Sequence, residues 1–140
     1  MSARGRMIDI TIKGIVIHQP WAWAIIHGPK RIENRDWTTR YRGPLAIIAG
    51  KSRASLGHGC DFLAGRGVEV PDDLAFGCVL GVTELRDVRP FEECAADPFA
   101  RGAFCWLLGE SAPLERPAPF RGMLGLFDFP LSACWPNSLV

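Results

Sequence analysis

The chain has 140 residues, 48% hydrophobic and 22% charged, with a formal net charge of +1. That length builds one core rather than two, and the composition excludes a disordered chain. The near-zero charge conceals a split: ten Lys/Arg against three Asp/Glu over residues 1–53 (+7), and six against twelve over residues 54–140 (−6).

Ile8–Ile17 alternates and is rich in Ile and Val, which predicts a strand. In Gln19–Gly28, Pro20 suits a first helical turn, where its missing N–H costs nothing, and Gly28 suits the position past the end. A two-turn helix follows, with Trp21, Ala24 and Ile25 facing inward. Arg31–Asp36 reads as extended, so Arg31, Glu33 and Arg35 share one strand face while Ile32 points into the core. Tyr41–Pro44 turns the chain into an apolar strand, Leu45–Ala49. Residues 52–67 are broken by Gly57, Gly59 and Gly65 and predict a short irregular helix. Phe76–Val88 is a strong strand, Pro90–Pro98 an acidic loop of helical tendency, and Ala103–Leu108 and Met123–Phe129 complete the set. Short strands punctuated by 15 Gly and 11 Pro predict an α+β fold. Its expected form is a small closed or nearly closed β-barrel of about five to six short strands with two or three flanking helices. A single domain spans 1–140, with its core at 10–130.

The five Cys are scattered, with no CxxC pair, and no signal-peptide pattern precedes them; reduced thiols in a cytoplasmic protein are expected. His58-Gly59-Cys60 looks like half a metal site, but no second half follows, so neither a metal nor another cofactor is expected. The apolar run Gly14–Gly28 is too short to span a bilayer, and no membrane partner is expected.

The segment His18–Arg42 gathers Trp21, Trp23, Trp37 and Tyr41 among Lys and Arg, around one carboxylate expected to be buried, Glu33. Basic residues interleaved with aromatics suit a polyanion whose bases stack. Lys30 and Arg35 have the chemistry for phosphate, and Glu33 for an exocyclic amine or ring N–H of an unstacked base. The same residues equally make an Arg31–Glu33–Arg35 ion-pair ladder. Trp21 reads as the anchor of its helix, Trp37 as the better stacking surface, and Trp106, alternating with Phe104 and Leu108, as core. Arg40, Arg42, Lys51 and Arg53 frame the strand Leu45–Ala49 and, taken together, suit a clamp on a phosphate backbone.

Gln19-Pro20-Trp21-Ala22, then Gly28-x-Lys30-x-x-Glu33-x-Arg35, then Arg42-Gly43-Pro44-Leu45 resemble the signature of the ASCH domain, a PUA-like family. Gly77–Val82, Phe104-x-Trp106-x-Leu108, Pro119-x-Arg121-Gly122 and Gly125-Leu126-Phe127 resemble its later strands, and the likeness is nearest to the ASCH domain borne by a transcriptional coactivator. The resemblance implies a pseudo-barrel with a cleft between barrel and helices, lined here by Gln19, Lys30, Glu33, Arg35, Trp37 and the turn Arg40–Arg42. It implies RNA or another single-stranded nucleic acid as partner, or a modified nucleoside. Some relatives are hydrolases, an amidohydrolase acting on N4-acetylcytidine and a ribonuclease, and in an enzyme Lys30 and Glu33 would be the catalytic pair. The amidohydrolase relatives carry Thr where this chain has Glu33, and a carboxylate there pairs with Lys30 and weakens it as base or nucleophile. A protein partner is the third expectation, with the apolar segment Leu131–Val140 as its candidate surface.

Overall fold

A computed structural model describes residues 9–136. Ile8, the arginines Arg4 and Arg6 counted in the basic half, and positions 137–140 of the apolar C-terminal segment lie outside the described residues. The elements in chain order are β1 (Thr11–Ile17), α1 (Trp21–Ile26), β2 (Ile32–Arg35), β3 (Gly43–Ala49), α2 (Leu56–Ala64), β4 (Cys78–Pro90), β5 (Phe104–Leu108), β6 (Ala112–Pro119) and β7 (Phe127–Pro130). Single 3-10 turns follow β4 and β7, at Phe91–Glu93 and Leu131–Cys134.

The strands form one mixed sheet in the order β2-β5-β4-β3-β1-β7, with β6 also on β4. β1 and β3 are parallel, and α1 with β2 makes the crossover that a parallel pair requires. Every other pairing is antiparallel. β4 is the spine. Along one edge it pairs with β3; along the other it takes β6 over Cys78–Val82 and β5 over Leu85–Pro90, with the register shifting between Leu85 and Asp87. The sheet curls into a barrel-like form, but β2 and β7 remain its two ends and it does not close.

The central strand β3 is apolar on both faces, and each face feeds a different core. Leu45, Ile47 and Ala49 join Ile15, Ile17, Ile25, Leu85 and Trp106 beneath α1. Ala46 and Ile48 join Ile12, Val79, Phe127 and Phe129 on the reverse. A strand covered on both faces needs no polar alternation, so β3 reads as an unbroken apolar run. A third cluster (Ala24, Ile32, Leu63, Phe99, Cys105) fastens α1 and α2 to β2 and β5.

Three local expectations change. β6 carries Pro113, Pro117 and Pro119, which no strand pattern allows in a sheet interior. It forms because it lies at the margin against β4 alone, where Gly81 lets the Ala112 carbonyl approach; a Cβ there would sit 2.6 Å from that oxygen. The final strand starts at Phe127 rather than Met123: Gly125 takes φ +67 and turns the preceding residues out, leaving Leu124 98% exposed. Within α1, Ala22, Ala24, Ile25 and Ile26 are buried, and Trp21 is half-buried at its start rather than sunk in the core.

The two oppositely charged stretches of sequence are not two surfaces. Lys13 of β1 pairs with Asp128 of β7 at 2.7 Å, and Arg42 with Asp87 of β4 at 3.2 Å, so the sheet interleaves them.

Candidate functional site

α2 lies directly against the start of α1, and Gly59 makes this fit. A Cβ there would come within 2.6 Å of the Pro20 ring and 3.2 Å of Trp21. That approach brings Phe62 edge-on to Trp21 at 5.9 Å and His58 to 6.2 Å, measured between ring centroids. Phe99 continues the aromatic wall, 5.5 Å from Phe62.

Short loops deliver β2 to the same place. Lys30 is 3% exposed and Glu33 8%. Lys30 Nζ donates to the Ile32 carbonyl and, at 3.2 Å, to Glu33 Oε1. Arg35 Nε donates to Glu33 Oε2 at 3.0 Å, and Nη2 to the Val16 carbonyl at 2.9 Å. The ammonium also lies 5.9 Å from the Trp21 ring centre, within cation–π range. The ion-pair ladder thus forms with a different member. Arg31 precedes β2 and instead donates to the carbonyls of Ile25, Gly28 and Lys30, while Lys30 takes its place at Glu33. Burying Lys30 and Glu33 carries a desolvation cost of several kcal/mol per ion before pairing offsets it, and Arg35, its side chain 24% exposed, closes the cluster at its margin.

The next residue of β2, Asn34, secures the remaining wall. Its Nδ2 donates to the Phe99 carbonyl at 2.8 Å and its Oδ1 accepts from the Arg101 N–H at 2.9 Å. Arg101 then lies over Phe62, its guanidinium carbon 5.2 Å from the ring centre. Trp21, Lys30, Glu33, Asn34, His58, Phe62, Phe99 and Arg101 together line a cleft of about 510 Å³, a volume in the range of small-ligand sites. A second cavity, about 400 Å³, adjoins it across Trp21 and Glu33 and is bounded by Arg35, His18, Ser55 and the loop Met123–Gly125. There His18 Nδ1 and Ser55 Oγ are 3.1 Å apart.

Of the residues expected at a site, Trp21, Lys30, Glu33 and Arg35 converge, and the rest lie elsewhere. Gln19 is 1% exposed and holds the fold, accepting from the Trp23 N–H and donating to the Ala75 carbonyl, both at 2.9 Å. Trp37 packs edge-on to the buried Trp106 at 4.8 Å and accepts the Trp106 indole N–H on its carbonyl. Tyr41 donates to the Pro44 carbonyl, and Arg42 to the carbonyls of Thr39 and Tyr41. Arg40 and Lys51 are exposed, and Arg53 lies over Phe76 at 4.1 Å. Trp37, Arg40, Tyr41, Arg42, Lys51 and Arg53 line neither cavity. The acidic loop also faces elsewhere: Glu93 pairs with Arg89 at 2.9 Å, and Asp97 accepts from the Phe99 N–H. The sequence pattern had not indicated Phe62, Phe99, Arg101 or Asn34, which arrive from distant segments, and His58 stood out only beside Cys60. Among the described residues, no three His, Cys, Asp or Glu side chains gather to hold a metal ion, and no helix is long and apolar enough to cross a membrane.

On the outer surface, the Arg89 guanidinium beside Asp87 holds that carboxyl below its ordinary value, helped by the Val88 N–H and Arg42. Arg89 is raised in turn by Asp87 and Glu93.

Comparison with known proteins bears on this geometry. The family model described as ASCH domain matches residues 15–111, which run from the end of β1 through β5 and include much of both cavities. Activating signal cointegrator 1 of Homo sapiens is 40% identical over 77 residues, 51% of this chain and 13% of that protein. Its Mus musculus counterpart is 42% identical over 77 residues, with the same shares. The chain thus matches only a small part of these relatives' length.

Proposed function

The chain belongs to the ASCH domain family, and on that premise we propose that it is a nucleic-acid-binding module that holds one unstacked nucleotide of a single strand in the cleft between α1, α2 and β2. The observation that carries this is the pairing of an aromatic wall with a fixed, net-cationic floor. Trp21, His58, Phe62 and Phe99 offer ring faces and edges to a base. Lys30 and Arg101 set two positive charges in the cleft against one negative charge, Glu33, whose second oxygen Arg35 holds from the adjoining cavity. Glu33 retains acceptor capacity beyond its two cation partners, since a carboxylate accepts about four hydrogen bonds. A base edge with an exocyclic amine or ring N–H fits it.

Binding fits the cluster better than hydrolysis does. The Lys30 ammonium is engaged by the Ile32 carbonyl and Glu33, and Arg35 fixes the other carboxylate oxygen, so neither group is set up as a mobile proton carrier. A pre-organised polar surface is what recognition requires.

Fluorescence anisotropy with labelled single-stranded RNA, single-stranded DNA and a duplex of the same sequence tests the proposal. Single strands should bind more tightly than the duplex, with affinity falling steeply as salt rises. Equal affinity for the duplex, or no binding at any salt, would overturn it, and the search would turn to a protein partner.

A further inference from the structure

We infer that the second cavity is a phosphate subsite, so that the cleft takes a nucleotide with its sugar-phosphate attached rather than a free nucleoside. This rests on the nucleotide-binding proposal above and goes a step further into the same site.

A nucleotide has two unlike parts, a flat base and an anionic backbone, and the two cavities differ in the same way. The first is walled by aromatic rings. The second, just across Trp21 and Glu33, presents the Arg35 guanidinium, the Ser55 hydroxyl and the His18 imidazole. Arg35 is already oriented, because Nε and Nη2 are held by Glu33 and the Val16 carbonyl; among the described residues, its Nη1 has no hydrogen-bond partner. A guanidinium fixed on one side and open on the other is suited to an anionic oxygen.

Ser55 adds an independent sign. It occupies the N-cap position of α2, where a serine hydroxyl ordinarily accepts from a helix N–H, yet its side chain makes no such bond. The hydroxyl turns instead to His18 Nδ1, at the cavity wall. The first turn of α2 therefore lacks its usual side-chain acceptor, and the hydroxyl that withholds it stands at the cavity wall, where it can donate to an anionic oxygen. Glu33 does not oppose that charge, since both of its oxygens face cations. At the rim, Met123 and Leu124 are 57% and 98% exposed, an apolar margin that a ribose or the next base along a strand would cover.

The test is a titration followed by NMR with ribonucleosides, their 3′- and 5′-monophosphates, and trinucleotides. Monophosphates should bind about tenfold or more tightly than nucleosides, as a charge-assisted contact implies. They should move the Ser55 and Gly125 amides in addition to those of His58 and Phe99. In Ser55→Ala and His18→Ala, the ratio between monophosphate and nucleoside affinity should shrink. If nucleosides move His58 and Phe99 while monophosphates bind no tighter and leave Ser55 and Gly125 still, the subsite is wrong and the nucleotide cleft stands. If none of the three ligand classes moves either pair, both fall.

Discussion

Glu33 and Asp87 each stand between two cations, and the similarity ends there. Glu33 lies between Lys30 and Arg35 at 8% exposure, on the edge strand β2, where it stands opposite the buried Trp106 of β5. Asp87 lies between Arg42 and Arg89 at the surface, its side chain 34% exposed, at a register shift of β4. In water the attraction between such charges is screened and the side chains keep most of their freedom, so an exposed pair contributes little. In the interior, removing one partner strands the other. The two carboxylates are therefore nearly the same in sequence pattern, an acid flanked by basic residues, and opposite in consequence. Burial separates a site from a decorated surface here, not the number of partners.

Breaking the buried member should have the largest effect. Glu33→Ala leaves Lys30 buried without its counter-charge and should cost about 3–5 kcal/mol in urea unfolding. Glu33→Gln keeps the shape and an acceptor, so the loss should be smaller, and it should change which base is preferred more than overall affinity. Next in size, Trp21→Ala should weaken single-strand binding by roughly 1–3 kcal/mol, the range for removing one stacking surface. Arg101→Ala should flatten the salt dependence of binding by about one phosphate contact. Arg42→Ala, already tied to Asp87 and to backbone carbonyls, should leave that slope unchanged; a flattened slope there would move the nucleic-acid path to the outer surface.

The smallest effect belongs to Asp87. Its carboxyl is lowered in the folded protein, chiefly by Arg89, so its stabilisation is complete above the unfolded carboxyl value and is lost as pH falls through the lower folded one. Asp87→Asn should thus leave the thermal midpoint at neutral pH nearly unmoved and remove part of the decline below about pH 4. A large loss at neutral pH would contradict the contrast with Glu33.

Much of this was legible in the sequence. Alternation and Gly/Pro punctuation gave every strand except β6, whose three prolines conceal it because a margin strand tolerates what an interior one cannot. Glu33 announced itself as a buried acid because Lys30 and Arg35 crowd it within five residues. The strand-face ladder misnamed one member, since Arg31 turns to backbone carbonyls while Lys30, whose pairing the family resemblance implied, reaches Glu33 by curling past Ile32. The aromatic wall was not legible at all. Phe62, Phe99 and Arg101 meet Trp21 through helix packing and through the two hydrogen bonds of Asn34, contacts between distant segments that leave no periodicity. The same distance misplaced Trp37, whose polar neighbours suggested an exposed ring, whereas the fold lays it on Trp106.

The central claim is that a nucleotide sits among Trp21, His58, Phe62 and Arg101, and not along the basic stretch from Arg40 to Arg53. Photo-crosslinking of a single-stranded RNA substituted with 4-thiouridine, followed by mapping of the modified peptides, decides between them. Crosslinks on Trp21, His58 or Phe62 are the predicted result. Crosslinks confined to residues 40–53 would contradict it.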